Sequence, residues 1–431
     1  MQDRSAAASV SDRIAGVAAA IAILILFATA IGYGKSPKAA TATRSKPDHP
    51  VKFLAPSFAL ALVLLTGCVN QPGEPVPGHH TVKVQNTTPR VAVDGEIIDA
   101  HDGCLQFFDG RYYLYGTAYG RSAGFGINNR FRVYSSADLE HWRLDGELIQ
   151  DQPEGVFYRP YVVYNPATKK YVLWFNWYPQ LWNGSMGVAV SDTPVGPFVI
   201  SSLSVNLSQA DHRPADGSLF VDDDGTGYFV YTTIGQGHAI RVEKLRPDFL
   251  DSTGETSEVL GTGCEAPAMF RRGDTYYVLF DRNCCFCPWG SGARVFTARS
   301  PLGPYTERGN INRDAAGKPI IPAQQTFVAT LPAANGPVYL WMGDQWGSRP
   351  DGIKGHDLQY WSAPLEFRPD GSIAPLEKLP HWTATVRLGA ERPAVAKPYQ
   401  LPKRKDPNPL KVSPCSNQPL PQEEWDTGEQ P

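Results

Sequence analysis

The sequence predicts an all-β protein whose main body is a five-bladed β-propeller, and three observations predict it. A turn followed by an aromatic strand recurs five times between residues 109 and 339, with a period of about 50 to 60 residues. No long stretch of helical period interrupts that block, where every apolar pattern is short. Gly 40 and Pro 38 in 431 residues are many for a helical protein and suit a turn-rich one. A repeat of this length, with several strands and no helix, is the signature of propeller blades. Two β-sandwich domains, the rival all-β arrangement, leave five copies of one turn unexplained.

In chain order, residues 1–50 form an N-terminal extension with an apolar stretch from Ile14 to Tyr33, long enough to span a bilayer. Residues 51–68 read as a second signal: Lys52, a short apolar run, then Leu65-Thr66-Gly67-Cys68. That ending resembles a bacterial lipoprotein signal, in which the cysteine becomes acylated. Lys35, Lys38, Arg44, Lys46 and Lys52 follow the first stretch, against Arg4 and Arg13 before it. By the positive-inside bias residues 34–52 are cytoplasmic and the second stretch crosses outward. A start of translation at Val51 is the simpler account. Both accounts export the part after Cys68, either tethered by lipid or held by the N-terminal apolar segment. Residues 69–88, polar and bearing Pro and Gly, read as a tether.

The propeller is expected over 89–387, with blades near 90–150, 151–207, 208–262, 263–317 and 318–387. The repeated turn-and-strand is Asp109-Gly110-Arg111-Tyr112, Thr168-Lys169-Lys170-Tyr171, Asp224-Gly225-Thr226-Gly227-Tyr228, Gly273-Asp274-Thr275-Tyr276 and Asn335-Gly336-Pro337-Val338-Tyr339. A second strand and tight turn follow each copy, as in residues 135–142, 191–198, 244–250 and 300–306, and more loosely in 362–367. Residues 388–431, rich in Pro and charge, read as an extended tail.

The formal net charge of −3 gives no reason to expect nucleic acid as a partner. There are seven cysteines. With Cys68 lipidated, Cys104, Cys264, Cys284, Cys285, Cys287 and Cys415 enter an oxidising compartment, where disulfides form. The Cys284-Cys285-Phe286-Cys287 cluster has no second cluster at zinc spacing, which disfavours a zinc site.

In a propeller the innermost strand of each blade lines the channel, and its start faces the mouth where ligands bind. Asp102, Asp216 and Glu265 each stand just ahead of an apolar inner strand and are expected in equivalent places of their repeats. One such acid is most simply a turn cap; three in register are not.

At these residues the chain resembles glycoside hydrolase family 43. The segments that carry the likeness are IIDAHDGCLQFFDGRYYLYG (97–116), RPYVVYNPATKKYVLW (159–174), DGSLFVDDDGTGYFVY (216–231), EAPAMFRRGDTYYVLF (265–280), and QQTFVATL with YLWMGDQW within 324–346. The resemblance covers about residues 90–385. It implies a five-bladed propeller and hydrolysis with inversion, with Asp102 as general base, Asp216 as the acid that tunes pKa, and Glu265 as general acid. Inversion needs one protonated carboxyl and one ionised carboxylate, roughly 6.5–9.5 Å apart.

Ala100-His101 and the Gln324 motif look most like the exo-β-1,3-galactanase branch. That branch has glycine at the position of Asp102 and relies on a glutamine corresponding to Gln324. It has a glutamate where this chain has Tyr158, before Arg159-Pro160. The cysteine insert is a further departure, expected in a blade-four loop at the mouth.

His101, Tyr158, Arg159, Trp177, Gln324 and Trp346 are expected to bind substrate, with Trp174, Trp182 and Trp289 as further stacking candidates. His212 and His356 are weaker channel candidates. His356 is the one residue that suggests a bound calcium; no cofactor is required by the chemistry. Asp222, Asp223 and Asp224 are better explained by an exposed hairpin turn than by a calcium loop. The function expected is exo-acting hydrolysis of a plant or algal poly- or oligosaccharide, of galactosidase, arabinofuranosidase or xylosidase type. The alternative is a surface lipoprotein whose propeller only binds glycans.

Overall fold

The computed structural model describes residues 78–402, except 123, 125, 127, 128, 181, 182, 285 and 391–398. Both apolar stretches, Cys68, Trp182, Cys285 and Cys415 therefore lie outside the described residues.

The chain opens with β1 (His79–Gln85) and then runs through five antiparallel sheets. Blade one holds β2 (His101–Phe108), β3 (Arg111–Ala118), β4 (Arg130–Ser136) and β5 (Arg143–Glu147). Blade two holds β6 (Val156–Asn165), β7 (Lys170–Gln180), β8 (Asn183–Ser191) and β9 (Val199–Ser202). Blade three holds β10 (Pro214–Val221), β11 (Gly227–Thr233), β12 (Ala239–Leu245) and β13 (Ser252–Thr256). Blade four holds β14 (Cys264–Arg272), β15 (Thr275–Arg282), β16 (Arg294–Ala298) and β17 (Thr306–Asn310). Blade five has β18 (Gln324–Leu331), β19 (Val338–Gln345) and β20 (Leu358–Pro364), and β21 (His381–Arg387) follows it. The inner strands β2, β6, β10, β14 and β18 neighbour one another in turn, and β18 neighbours β2, so the ring is closed. The protein is a five-bladed β-propeller.

The repeated tyrosine has a physical reason. Tyr112, Tyr171, Tyr228, Tyr276 and Tyr339 are all buried near the start of the second strand of their blades. Tyr171 donates to Asp109 in the blade-one hairpin, Tyr276 to Asp222 of blade three at 2.6 Å, and Tyr339 to the Arg271 carbonyl of blade four at 2.8 Å. Each hydroxyl therefore ties its blade to the one before, while the ring fills the space between two sheets. Tyr112 of blade one, at the seam where blade five meets it, donates instead to the Arg387 carbonyl of β21 at 2.6 Å.

The stretch read as a tether differs from that reading. Residues 79–85 form β1, which pairs antiparallel with β21 from His79↔Arg387 to Gln85↔His381. Its alternation buries Val82 and Val84 while Thr81 and Lys83 face outward. This two-stranded sheet sits at the seam of the ring. Glu140 of blade one binds the Lys83 amide at 2.6 Å, and the buried Asn86 faces Trp361 of β20 in blade five. There the Asn86 carboxamide gives its N–H to the Trp361 carbonyl at 2.9 Å and takes the Trp361 N–H at 3.1 Å. One side chain thus stands in for the strand partner that three-stranded blade five lacks.

One further regularity positions the site. Every inner strand loses register near its start: between His101 and Cys104, Tyr158 and Tyr161, Pro214 and Gly217, Glu265 and Ala268, and Gln325 and Phe327. At these bulges Asp102, Arg159 and Ala266 take left-handed conformations, with φ of 49°, 53° and 54°. A bulge bends the strand and re-aims its side chains. Gly103 completes the first bulge because a Cβ there would lie 2.0 Å from the Tyr115 carbonyl oxygen.

Candidate active site

The three carboxylates lie at these bulges, within two residues of equivalence rather than in strict register. Asp102 is the first bulge residue of β2, Asp216 the second of β10, and Glu265 the last paired residue before the bulge of β14. They are part of the inner strands and not just ahead of them. All three are buried, at 6%, 8% and 8% exposure, so their charges depend on protein neighbours.

Arg159, from the β6 bulge, joins them. Its Nε is 2.9 Å from Asp216 Oδ1, and Asp216 Oδ2 accepts the Ala266 amide at 3.2 Å. The attraction of Asp216, Asp102 and Glu265 outweighs the cost of burying the guanidinium and raises its pKa above the ordinary value.

Asp102 is gripped from several sides. Its Oδ1 accepts from Thr117 Oγ1 at 2.6 Å and from the Arg159 amide at 3.2 Å, and its Oδ2 accepts from the Tyr119 hydroxyl. A carboxylate oxygen offers two lone pairs, so Oδ1 is filled and one place on Oδ2 stays open for a water. Burial raises the Asp102 pKa to about 6; Arg159, Thr117 and Tyr119 oppose that rise. The amide of Asp102 donates to Asp344 Oδ2 at 2.7 Å. Asp344 Oδ1 lies 3.0 Å from His101 Nδ1, and His101 Nε2 lies 3.1 Å from the Gly355 carbonyl. With an acceptor at each nitrogen the ring is held as a cation. Burial works against that charge, but Asp344 and Asp99 outweigh it and hold the pKa at about 9. His101 therefore props Asp102 from behind, through Asp344.

Glu265 has the opposite bias. Burial, and after it the charge of Asp216, push its pKa up to about 8. Its Oε1 accepts the Cys284 amide at 2.7 Å and the Gln324 side-chain N–H. Oε1 is thereby occupied by donors, which leaves Oε2 to carry the proton. Gln324 Oε1 in turn accepts from Trp346 Nε1 at 2.7 Å.

His101, Arg159, Gln324 and Trp346 thus meet the carboxylates directly or through one bond. Tyr158 stacks on Tyr178, with ring centroids 5.2 Å apart, beside Arg159. Trp177 lies on the second strand of blade two with its N–H on the Glu154 carbonyl at 3.1 Å. Among the described residues no hydrogen bond or ring contact links it to the carboxylates. Trp174 is core, fully buried with its N–H on the Phe249 carbonyl, while Trp289 is half-buried. His212 is exposed in a single turn of 3₁₀ helix. His356 pairs with Asp351 at 2.6 Å within its own loop. No cluster of three His, Cys, Asp or Glu side chains is placed to hold a metal ion among the described residues. Asp222 closes the Asp222–Thr226 hairpin turn and holds Arg271 at 2.6 Å. Cys284 and Cys287 form a disulfide, and Cys104 and Cys264 are buried thiols.

The sequence did not single out Thr117, Tyr119 and Asp344, all of which bond to Asp102. The first two sit at and just past the end of β3, and the third near the end of β19, after the aromatic runs YYLYGTAY and YLWMGDQW. The signal was there in a polar residue closing each apolar second strand.

The family model for glycosyl hydrolases family 43 matches residues 97–340, more than half of the chain. The chain belongs to glycosyl hydrolases family 43. Among curated proteins it is similar to an arabinoxylan arabinofuranohydrolase of Bacillus subtilis, 27% identical over an alignment 309 positions long that covers 58% of this chain and 56% of that protein. The chain thus spans about half the length of that curated relative. Among solved structures it is similar to a GH43 β-1,3-galactosidase, with TM-score 0.61 and 26% identity over 70% of this chain and 64% of that one. It is similar in fold to an exo-β-1,3-galactanase from Clostridium thermocellum, with TM-score 0.60, 24% identity, and coverage of 71% and 67%.

Proposed function

We propose that this family 43 protein is an inverting exo-glycosidase that removes a terminal sugar from a plant or algal poly- or oligosaccharide. Glu265 protonates the leaving oxygen through Oε2, and Asp102 draws a proton from the attacking water at Oδ2. Asp216 keeps Glu265 protonated by its charge and holds Arg159 in place. The observation that carries the reading is the opposite bias of two buried carboxyls on separate inner strands. With Glu265 near 8 and Asp102 near 6, the pair is in the working state, one protonated and one ionised, between those values. Retention of a braced, ionisable base also disfavours a propeller that only binds glycans.

Likeness to the β-1,3-galactosidase makes β-1,3-linked galactosyl ends the first substrate to test, with arabinofuranosides and xylosides beside them. The test is Glu265→Gln on natural and activated substrates, with NMR detection of the first anomer released. Turnover of natural glycosides should fall by at least about 10²-fold, the lower end of general acid–base contributions, while aryl glycosides with good leaving groups suffer less. Equal loss on both substrate types removes Glu265 as the acid, and first release of the retained anomer removes inversion.

We further propose that the chain is exported and held at a membrane by lipid on Cys68. The support is the order Lys52, apolar run, Leu65-Thr66-Gly67-Cys68.

A further inference from the structure

Lys354 is a buried lysine that the proposed chemistry does not use. It lies in a single 3₁₀ turn, Lys354–His356, between β19 and β20, and is 3% exposed. Its Nζ lies 3.7 Å from the centre of the Trp346 ring and 3.8 Å from that of Phe286, with the Tyr119 ring at 5.5 Å. Among the described residues the ammonium has no hydrogen bond; its nearest anion is Asp357 Oδ2 at 3.8 Å, which Arg349 already holds at 2.7 Å. Attraction to ring faces is therefore its main local contact, and such contacts strengthen when the cation is out of water.

Those rings are the ones that hold the carboxylates. Tyr119 donates to Asp102, and Trp346 donates to Gln324, which donates to Glu265. Phe286 comes from the blade-four loop closed by the Cys284–Cys287 disulfide, whose Cys284 amide also holds Glu265. The loop reaches the far side of the mouth: the Phe286 ring fills a notch at Gly124 of blade one, where a Cβ would lie 2.4 Å from it. The Phe286 and Tyr119 rings each meet the Trp346 ring edge to face, at 4.9 and 5.6 Å.

We infer that Lys354 is a positioning residue of the hydrolytic site, its ammonium clamping Trp346, Phe286 and Tyr119 so that both the acid and the base keep their hydrogen-bond partners. The inference rests on the hydrolytic reading of that site. Blades one, four and five each contribute one part of the clamp, and the charge is the element they share. Losing it frees the rings to shift, and a misplacement of about 1 Å in a catalytic site costs on the order of 10²-fold.

The clamp is sensitive to pH. Burial lowers the Lys354 pKa to about 7, with Asp357 opposing that fall. The other charges facing it are Arg349 from its own segment, Asp344 from β19 and Asp102 from β2; Asp99 packs against Gly355 beside it. Phe286 brings no charge from blade four. A lysine with a lowered pKa loses its proton as pH rises through that value, so the clamp weakens above about 7, before Glu265 ionises near 8. The alkaline limb of kcat should then be steeper than one ionisation allows.

The test compares Lys354→Met, which keeps the volume and removes the charge, with Lys354→Arg, which keeps a charge at every working pH. Both are assayed for kcat, KM and pH profile beside Glu265→Gln, with a denaturation curve to check folding. The Met variant should lose roughly 10- to 100-fold in kcat with KM changed little, because the loss falls on alignment and not on ground-state binding. The Arg variant should recover most of kcat, with the alkaline limb reduced to the single Glu265 ionisation. A folded Met variant with normal kcat and an unchanged limb overturns the clamp. Should the Met variant not fold, an Arg variant that keeps the steep limb overturns it equally. Retained turnover of natural substrates in Glu265→Gln overturns the assignment of the acid instead, whatever the Lys354 variants do.

Discussion

Asp102 and Glu265 show how one channel holds two carboxyls in opposite states. Both are buried, and burial raises both; what separates them is their partners. Asp102 takes hydrogen bonds from a threonine, a tyrosine and a backbone amide, all of which favour its ionised form, and faces Arg159. Glu265 faces Asp216, whose charge adds to its desolvation. On the proposed mechanism the activity profile should rise through about 6 as Asp102 ionises and fall above about 7, first as Lys354 and then, near 8, as Glu265 loses its proton. Asp102→Asn should abolish the acidic limb and lower kcat by at least about 10²-fold for good and poor leaving groups alike, since the water needs its base in both. Activity near normal in that variant would move the role of holding water to Gln324. The identity of the carboxylates was legible in the sequence because each precedes an apolar inner-strand pattern. Their environment was only half legible: a polar residue closes each apolar second strand, but nothing local says that Thr117, Tyr119 and Asp344 meet Asp102, or that Lys354 arrives from a loop more than two hundred positions away.

At the scale of elements, the blades were legible for a reason the structure makes concrete. The tyrosine that opens each second strand fills the gap between sheets, and in most blades its hydroxyl reaches the neighbour, so it had to recur at the blade period. The bulges were not legible, since their signature is a shift of register and not a composition; Asp102-Gly103 alone hints at one. β1 was misjudged because its partner β21 lies at the other end of the propeller sequence, although the alternation of Val82 and Val84 was visible. Asn86 ties that sheet to blade five. Asn86→Ala should leave the Trp361 N–H buried without its partner, while the Trp361 carbonyl keeps the Trp382 N–H, and destabilise the protein by about 1–3 kcal/mol. Chemical denaturation measures this as a lower midpoint at an unchanged slope. An unchanged midpoint would mean that solvent replaces the amide oxygen.

At the scale of the whole molecule, β1 is paired into the folded body, so a soluble form should start no later than residue 78. Mass spectrometry of the N-terminal peptide from membranes should find Cys68 first in the chain and acylated, and two or more acyl chains suffice for stable anchoring where one does not. An unmodified Cys68 with residues 1–67 still attached ends that proposal. The β1–β21 pairing also bears on how the chain is made. A ribosome or a translocation pore delivers β1 first and its partner roughly 300 residues later, so the strand waits through the emergence of all five blades. Until then β1 carries two unpaired edges, and blade five ends without the asparagine contact that finishes it. No shorter length of chain fastens the ring: the buckle arrives first and the strap's end last.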